Sequence, residues 1–288
     1  MTILVQFFWY FVLLSLSLVA GSVYLLLLYP LTGGSWMEYL RPALRRHVSL
    51  WWVPCLGFLV LLLLFQYIAY WPEPPTKHLE ELAHQREAFL NWPFFIGRNV
   101  FYLVVFAVAG LFLGKRGGER GQPWAAPAIV GMTLTMFFIA VDWVMLRDAE
   151  WFSTGFPFTY ILLSVLFALC SATLATKLGE APEKARRQIG SLIQASTIVS
   201  AYLAIAELVI IWMGDLPVEA QLYVERSHLP WSLLIVYVAI CGVAWPFISL
   251  LSRQPRVRPA RIKRAALLAA SGMAAYLLWF LYPIVRPF

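Results

Sequence analysis

The segment GMTLTMFFIAVDWVMLRDAEWFST, which runs from Gly131 to Thr154, decides the class of fold. It belongs to a mostly apolar run from about 126 to 146, and a helix needs about 20 such residues to cross a bilayer. Asp142 interrupts the run near its end, and Trp151, Phe152, Ser153 and Thr154 follow. The segment predicts a membrane-spanning helix that carries a carboxylate close to one surface of the bilayer.

The whole chain has the composition of a membrane protein. Of its 288 residues, 61% are hydrophobic and 13% charged, and the mean hydropathy is +0.74. These values lie far from those of soluble domains. The sequence predicts an all-α polytopic transmembrane bundle of about eight spans, forming a single integral membrane domain over residues 1–288, with spans at about 3–29, 50–70, 93–113, 126–146, 157–176, 190–213, 230–251 and 265–284.

The first span and the cysteines exclude some alternatives. No Lys or Arg precedes the first apolar run, which is longer than the core of a cleaved signal peptide, so a retained helix is expected. Cys55, Cys170 and Cys241 fall singly inside predicted spans. This spacing does not suit a disulfide framework or a CxxC site, and predicts small packing residues.

The basic residues predict the orientation. Sixteen of the 22 Lys and Arg residues fall in alternate connections, at Arg41, Arg45, Arg46, Lys115, Arg116, Arg120, Lys177, Lys184, Arg186, Arg187, Arg253, Arg256, Arg258, Arg261, Lys263 and Arg264. By the positive-inside rule these connections face the cytoplasm, and both termini face outward. The same rule explains the basic loop SRQPRVRPARIKRAA (252–266) better than a patch for nucleic acid or acidic lipid does, and no nucleic-acid partner is expected.

Two features are expected at the outer membrane surface. Residues of about 76–91 place apolar side chains at helical spacing, which predicts a short amphipathic helix lying on that surface. An aromatic belt at headgroup level is predicted from tryptophans near the outer ends of spans, at Trp71, Trp92, Trp143, Trp151, Trp212 and Trp231.

Three ionisable residues lie inside the apolar runs, at similar depth: Arg98, Asp142 and Glu207. A charge at the centre of a spanning helix costs about 2.5 to 3.5 kcal/mol even on insertion scales, so such residues face the bundle interior and pair. We therefore expect the three side chains to meet near the outer surface. One arginine neutralises only one carboxylate, which makes the second a candidate proton carrier.

Hydroxyl residues extend this pattern. Ser196, Ser200 and Glu207 share one face of the sixth predicted span, and Thr135 and Asp142 share one face of the fourth. We call these two rows of polar side chains the polar files. If they face each other in the bundle, they could hold a chain of water molecules. The alternative is that the hydroxyls bond to helix carbonyls and the charges only lock the bundle. A substrate-binding role for the same residues is also open.

Several kinds of chemistry are not predicted. His47, His78, His84 and His228 all fall in predicted loops, so no pair of imidazoles within the membrane is expected to hold a haem. The sequence carries no HExxH, GxSxG, P-loop or zinc-type spacing, and no metal site or catalytic residue is predicted. Pro54 and Pro246 are the prolines expected to bend spans.

Five stretches resemble one known family: GSVYLLLL (21–28), LNWPFFIGRNVFY (90–102), DWVM with WFST (142–145 and 151–154), AYLAIAELVIIWMGDLPVE (201–219) and WPFISLLSR (245–253). Taken in order, they resemble the F-type membrane subunit of bacterial alternative complex III, which is related to the NrfD/PsrC family. This chain differs from the family pattern at Ala149, Glu150 and Glu207.

The resemblance implies a function. It implies a cofactor-free membrane-anchor subunit of a quinol-oxidising respiratory complex in the bacterial inner membrane, not catalytic alone, and a transmembrane proton path. It also implies partners: membrane lipid, a C-type subunit with the quinol site, an iron–sulfur subunit and a multihaem cytochrome c. Iron–sulfur clusters and c-type haems would then belong to those partners, with quinol nearby.

Other functions remain open from the residues alone. A transporter for ions or small solutes could couple transport through the same buried charges, although no inverted repeat or broken midplane helix is evident. A membrane enzyme acting on lipid or quinone is a further alternative, for which no nucleophile or metal set is recognisable. The segment from Trp151 to Thr154 is expected to cap Asp142 at the outer end. Trp151 and Phe152 would close the bundle over the charge, while Ser153 and Thr154 would satisfy backbone groups in the turn before Pro157.

Overall fold

The structure is a computed structural model, and it describes residues 2–65, 80–81, 84–119, 121–145, 151–252 and 257–281. Throughout these ranges the chain forms helices and turns without any strand. Eight helical segments are long and apolar enough to cross a membrane, which confirms the multi-pass helical class. We number them spans 1 to 8: Leu4–Thr32, Trp36–Leu63, Trp92–Arg116, Ala125–Trp143, Phe156–Ala175, Glu183–Met213, Trp231–Ser249 and Pro259–Leu281.

Tyr10, near the start of span 1, donates a hydrogen bond to the carbonyl of Ala274, near the end of span 8 (3.0 Å), so these two helix ends lie on the same side of the bundle. We call the side where span 1 begins and span 8 ends the terminal face, and the opposite side the basic face. A short helix, Pro217–Glu225, connects spans 6 and 7 at the terminal face. The predicted surface helix at 76–91 lies partly outside the described residues, at 76–79 and 82–83. Within its described part, 80–81 and 84–85 are helical and exposed, whereas 86–89 form turns.

Span 2 begins earlier than the sequence predicted. The region before residue 50 was expected to be a loop, but it forms the helix Trp36–Ser49, which a turn at Leu50 and Trp51 joins to the helix Trp52–Leu63. The first helix is amphipathic, and its buried residues are Trp36, Met37, Leu40, Ala43, Leu44, His47 and Val48. Its arginines lower the mean hydropathy of the segment. A search for continuous apolar runs therefore did not identify this helix or its apolar face.

Spans 1, 5 and 8 are the most buried and form the centre of the bundle. Spans 1 and 5 approach closely at Gly21, where a Cβ atom would lie 2.0 Å from the carbonyl oxygen of Ser164. Ser17 donates a hydrogen bond to the Tyr160 hydroxyl (3.0 Å), which donates to the carbonyl of Leu13 (3.0 Å). Small residues and interhelical hydrogen bonds are the usual means of helix association in lipid.

The helices are irregular next to the two prolines that were predicted to bend spans. Pro54 lies in the first turn of Trp52–Leu63, directly after the break in span 2. Pro246 follows a π-helical segment, Val238–Ala244, within span 7. A proline lacks the backbone N–H and clashes with the preceding turn, so regular α-helix is disfavoured before it.

The exposure of the tryptophans agrees with the predicted aromatic belt at only some positions. Trp92 and Trp212 are exposed, as residues at headgroup level would be, and Trp231 is half-buried. Trp143 and Trp151 are instead only 1% and 2% exposed and belong to the core. Trp71 lies outside the described residues. Nearness to a helix end therefore did not separate lipid-facing indoles from buried ones.

Candidate functional site

Arg98 and Asp142 form a buried ion pair between spans 3 and 4, near the terminal face. The guanidinium donates two hydrogen bonds to the carboxylate, from Nε to Oδ2 (3.0 Å) and from Nη2 to Oδ1 (2.8 Å). Arg98 is 9% exposed and Asp142 1%. The predicted meeting of these two charges is confirmed, in the bidentate geometry that gives an arginine–carboxylate pair its strength and direction.

Two groups that the sequence analysis missed complete the pair. The hydroxyl of Tyr102, one helical turn beyond Arg98, donates to Asp142 Oδ2 (2.7 Å). The carbonyl of Phe89 accepts from Arg98 Nη1 (3.1 Å), and the Phe89 ring lies 3.8 Å from the guanidinium carbon. The spacing of Arg98 and Tyr102 at i and i+4 could have indicated Tyr102, whereas Phe89 comes from a connecting segment and no periodic pattern predicts it.

A second polar contact supports the pair from the core side. The indole N–H of Trp143 donates to Asn99 Oδ1 (2.8 Å), and Asn99 in turn donates to the carbonyl of Phe95 (2.9 Å). The Trp143 ring packs against Phe58, with centroids 4.8 Å apart. Spans 2, 3 and 4 are therefore held together around adjacent residues, Arg98 with Asn99 and Asp142 with Trp143.

Glu207 does not join the pair, so the expected three-charge cluster is wrong. It is 7% exposed, and neither carboxylate oxygen has a hydrogen-bond partner within the described chain. The hydroxyl of Ser153 lies beside it without a hydrogen bond of normal geometry. Burial and the nearby Glu207 carboxylate raise the pKa of Tyr223, in the helix between spans 6 and 7, against the opposing effect of Arg226.

The two polar files also do not face each other. Spans 4 and 6 both pack against span 5, which separates them. Thr135 is buried and donates to the carbonyl of Gly131 (2.8 Å), the local bond expected of a structural hydroxyl. On span 6, Ser196 is only half-buried, whereas Ser200 is buried and its hydroxyl has no partner among the described residues.

In the expected capping segment, the role predicted for Ser153 in the turn before Pro157 is confirmed. Ser153 Oγ accepts hydrogen bonds from the backbone N–H groups of Gly155 (3.2 Å) and Phe156 (3.1 Å), and so caps the start of span 5. Trp151 packs edge to face on Phe280 of span 8, with centroids 4.9 Å apart. Phe152 and Thr154 are exposed. The segment therefore joins spans 5 and 8.

One histidine predicted in a loop is buried in the bundle. His47, on the amphipathic helix of span 2, is 8% exposed. Its Nδ1 lies 3.1 Å from Ser22 Oγ of span 1, and its Nε2 lies 3.4 Å from Ser171 Oγ of span 5. The apolar spacing of Leu40, Leu44 and Val48 around it was the pattern that could have placed it. His84 and His228 are exposed, and His78 lies outside the described residues.

The remaining candidate ligands are separate from one another. Cys55 and Cys170 are buried and Cys241 is half-buried, and all three are free thiols. Among the described residues, no group of three or more His, Cys, Asp or Glu side chains could hold a metal ion. The arrangement therefore provides two distinct polar centres, a satisfied ion pair on spans 3 and 4 and an unpaired carboxylate on span 6.

Comparisons with known proteins assign no family. No family model matches the chain, and no curated protein matches it. The resemblance to the F-type subunit therefore stays a prediction, which rests on the stretches of sequence quoted above.

Substitutions in the ion pair test whether it locks the bundle. Arg98→Met is expected to destabilise the protein by about 3 to 5 kcal/mol, because it leaves the Asp142 carboxylate buried without its partner. The double variant Arg98→Met with Asp142→Leu removes both charges and is expected to recover most of that loss. The measurement is the midpoint of thermal unfolding in detergent. If the double variant is no more stable than Arg98→Met, the ion pair does not stabilise the bundle by neutralising the Asp142 charge.

Proposed function

We propose that this chain is a membrane-anchor subunit of a quinol-oxidising respiratory complex in the bacterial inner membrane, resembling alternative complex III. The observation that carries the proposal is the Arg98–Asp142–Tyr102 network, in which all three residues lie in stretches that resemble the F-type subunit. The network joins span 3 to span 4, so the two stretches that carry these residues contribute to one helix–helix contact. A chain built almost wholly of spans leaves the redox groups to partner subunits.

The partners proposed are a C-type subunit that holds the quinol, an iron–sulfur subunit and a multihaem cytochrome c. The free thiols and the separated histidines of the described chain favour this division of labour, because iron–sulfur clusters need several cysteines and haems need axial ligands.

Purification of the tagged chain in mild detergent tests the assembly. We expect iron–sulfur and c-type haem absorbance to copurify with it, and deletion of the chain to abolish quinol oxidation by membranes. A monomeric chain without either absorbance, together with unchanged quinol oxidation in the deletion strain, would reject the proposal. Counterflow of a solute in vesicles containing this chain alone would favour the transporter instead.

Within this function the two polar centres take different roles. Asp142 accepts three hydrogen bonds from Arg98 and Tyr102, which makes it a structural residue. Glu207 is the buried carboxylate that has neither an ion-pair partner nor a hydrogen bond of normal geometry within the described chain, with only the Ser153 hydroxyl beside it. We assign Glu207 the proton-carrying role, since an unpaired carboxylate in a span is costly and typical of proton relays.

Replacement of the carboxylate tests that role. Glu207→Gln is expected to lower the number of protons released per electron in the assembled complex, because an amide cannot take up and release the proton. Glu219→Gln, on the connecting helix, removes the same charge and serves as the control. The measurement is proton release during quinol oxidation in vesicles. An unchanged ratio in Glu207→Gln would assign this residue a structural role.

The orientation belongs to the same proposal. The basic face carries Arg41, Arg45 and Arg46 on the first helix of span 2, so it is assigned to the cytoplasm and the terminal face to the periplasm.

Cysteine labelling tests this orientation. His228 and Glu180 are both exposed, in connections on opposite faces. A membrane-impermeant maleimide applied to right-side-out vesicles is expected to label His228→Cys directly and Glu180→Cys only after permeabilisation. The reverse pattern would invert the chain in the membrane.

A further inference from the structure

A cavity of about 620 Å³ lies between spans 5, 6, 7 and 8. Its walls are mostly apolar, and small residues of three spans leave the space: Ala201 and Ala204 of span 6, Gly242 of span 7 and Gly272 of span 8. This volume falls in the range of small-molecule sites, about 300 to 1,000 Å³. The cavity lies away from the Arg98–Asp142 pair, which spans 3 and 4 hold.

Ser200 is the polar residue that distinguishes this cavity from a packing defect. It lines the cavity, is 3% exposed, and its hydroxyl has no hydrogen-bond partner among the described residues. Thr197, one turn before it, donates to the carbonyl of Ile193 (2.8 Å), and Ser164 of span 5 donates to the carbonyl of Tyr160 (2.8 Å). Ser200 therefore keeps a free donor where neighbouring hydroxyls are satisfied by their own helix.

The depth of Ser200 restricts the kind of molecule that can accept this hydrogen bond. At 1.5 Å per residue, Ser200 lies about 20 Å along the helix from Met213, at the terminal end of span 6. The hydrocarbon core is about 30 Å thick, so the hydroxyl lies near its middle. The ester carbonyls of a phospholipid stay at the interface and do not reach this depth. The acceptor must belong to a molecule whose polar group itself dissolves in hydrocarbon.

The wall formed by span 7 is also unusual. The π-helical segment Val238–Ala244 supplies Val238, Ala239, Gly242 and Val243 to the cavity. Gly242 contacts Gly272 so closely that a Cβ atom on Gly272 would lie 2.3 Å from the Gly242 Cα. π-Helical turns occur frequently at functional sites. The close contact between spans 7 and 8 leaves the open space on the side of span 6.

The cavity has a lateral opening toward the lipid. Spans 6 and 7 pack together near the basic face, where Gln194 donates to the carbonyl of Phe247 (3.2 Å). Toward the terminal face they diverge, and Ile205 and Ala239, which line the cavity, are exposed. At the terminal end Arg226 donates to the carbonyls of Trp279 (3.0 Å) and Phe280 (3.1 Å) of span 8. A ligand would therefore enter from the bilayer.

We propose that this cavity binds a membrane-dissolved quinone, with a ring oxygen accepting the hydrogen bond of Ser200 and the apolar tail passing between spans 6 and 7. A quinone ring combines an apolar body with a hydrogen-bond acceptor that is stable at mid-membrane. This quinone site extends the proposed function. It depends on the proposed function only because that function places quinone in the same membrane. Its test uses the full chain without partner subunits, so the two proposals can fail separately.

The experiment is a titration of the full chain in lipid nanodiscs with decylubiquinone, followed by quenching of tryptophan fluorescence. Trp279 lines the cavity and reports on its occupation. We expect saturable quenching for the unaltered chain and about tenfold weaker binding for Ser200→Ala, the upper range for loss of one hydrogen bond. Ser200→Leu also fills the cavity and is expected to abolish saturation. Ser196→Ala, on the same helix but outside the cavity, is the control.

Each result has a defined consequence. Equal unfolding midpoints for Ser200→Ala and the unaltered chain show that a loss of binding does not come from misfolding. Binding by Ser200→Ala as tight as that of the unaltered chain would overturn the proposal. Native mass spectra could also overturn it, by showing that a diacyl phospholipid occupies the cavity. In that case the phospholipid would remain bound to the unaltered chain when decylubiquinone is added, and would be absent from Ser200→Leu.

Discussion

The ion pair between Arg98 and Asp142 is the interaction on which the arrangement of spans 2, 3 and 4 depends. Removing two charges from water costs several kcal/mol for each ion, and their attraction offsets this only when the geometry is good and the remaining hydrogen-bonding groups are satisfied. Both conditions hold here, because Tyr102 and the Phe89 carbonyl complete the pair and aromatic rings cover the guanidinium. The ion pair therefore fixes the position of span 3 along the axis of span 4.

The centre of the bundle divides the molecule into two polar regions. Spans 1 and 5, joined through Ser17, Tyr160 and the close approach at Gly21, lie between the ion pair and Glu207. One region is satisfied internally and holds helices together. The other contains a carboxylate and a hydroxyl whose partners are not supplied by the described residues, next to a cavity between spans 5, 6, 7 and 8. Structural and chemical roles are thus assigned to different helices.

The lipid medium explains why these groups differ. In hydrocarbon no water is present to satisfy an exposed polar group, so most hydroxyls of the described spans bond to their own helix, as Thr135, Ser164 and Thr197 do. A buried polar group that lacks such a bond destabilises the fold. A binding role explains why it is kept, because the bound ligand then supplies the hydrogen bond. Ser200 and Glu207 of span 6 both depart from the pattern, as does Thr159 of span 5.

The sequence by itself determined the class, the number of spans and the meeting of Arg98 with Asp142. These follow from the length of apolar runs and from the cost of an unpaired charge in lipid, which are properties of single helices and single residues. Only the tertiary structure decided that Glu207 stands apart and that His47 is buried. Those outcomes depend on which helices are neighbours. Periodicity along one helix does not encode that choice, because lipid and protein present equally apolar surfaces to it.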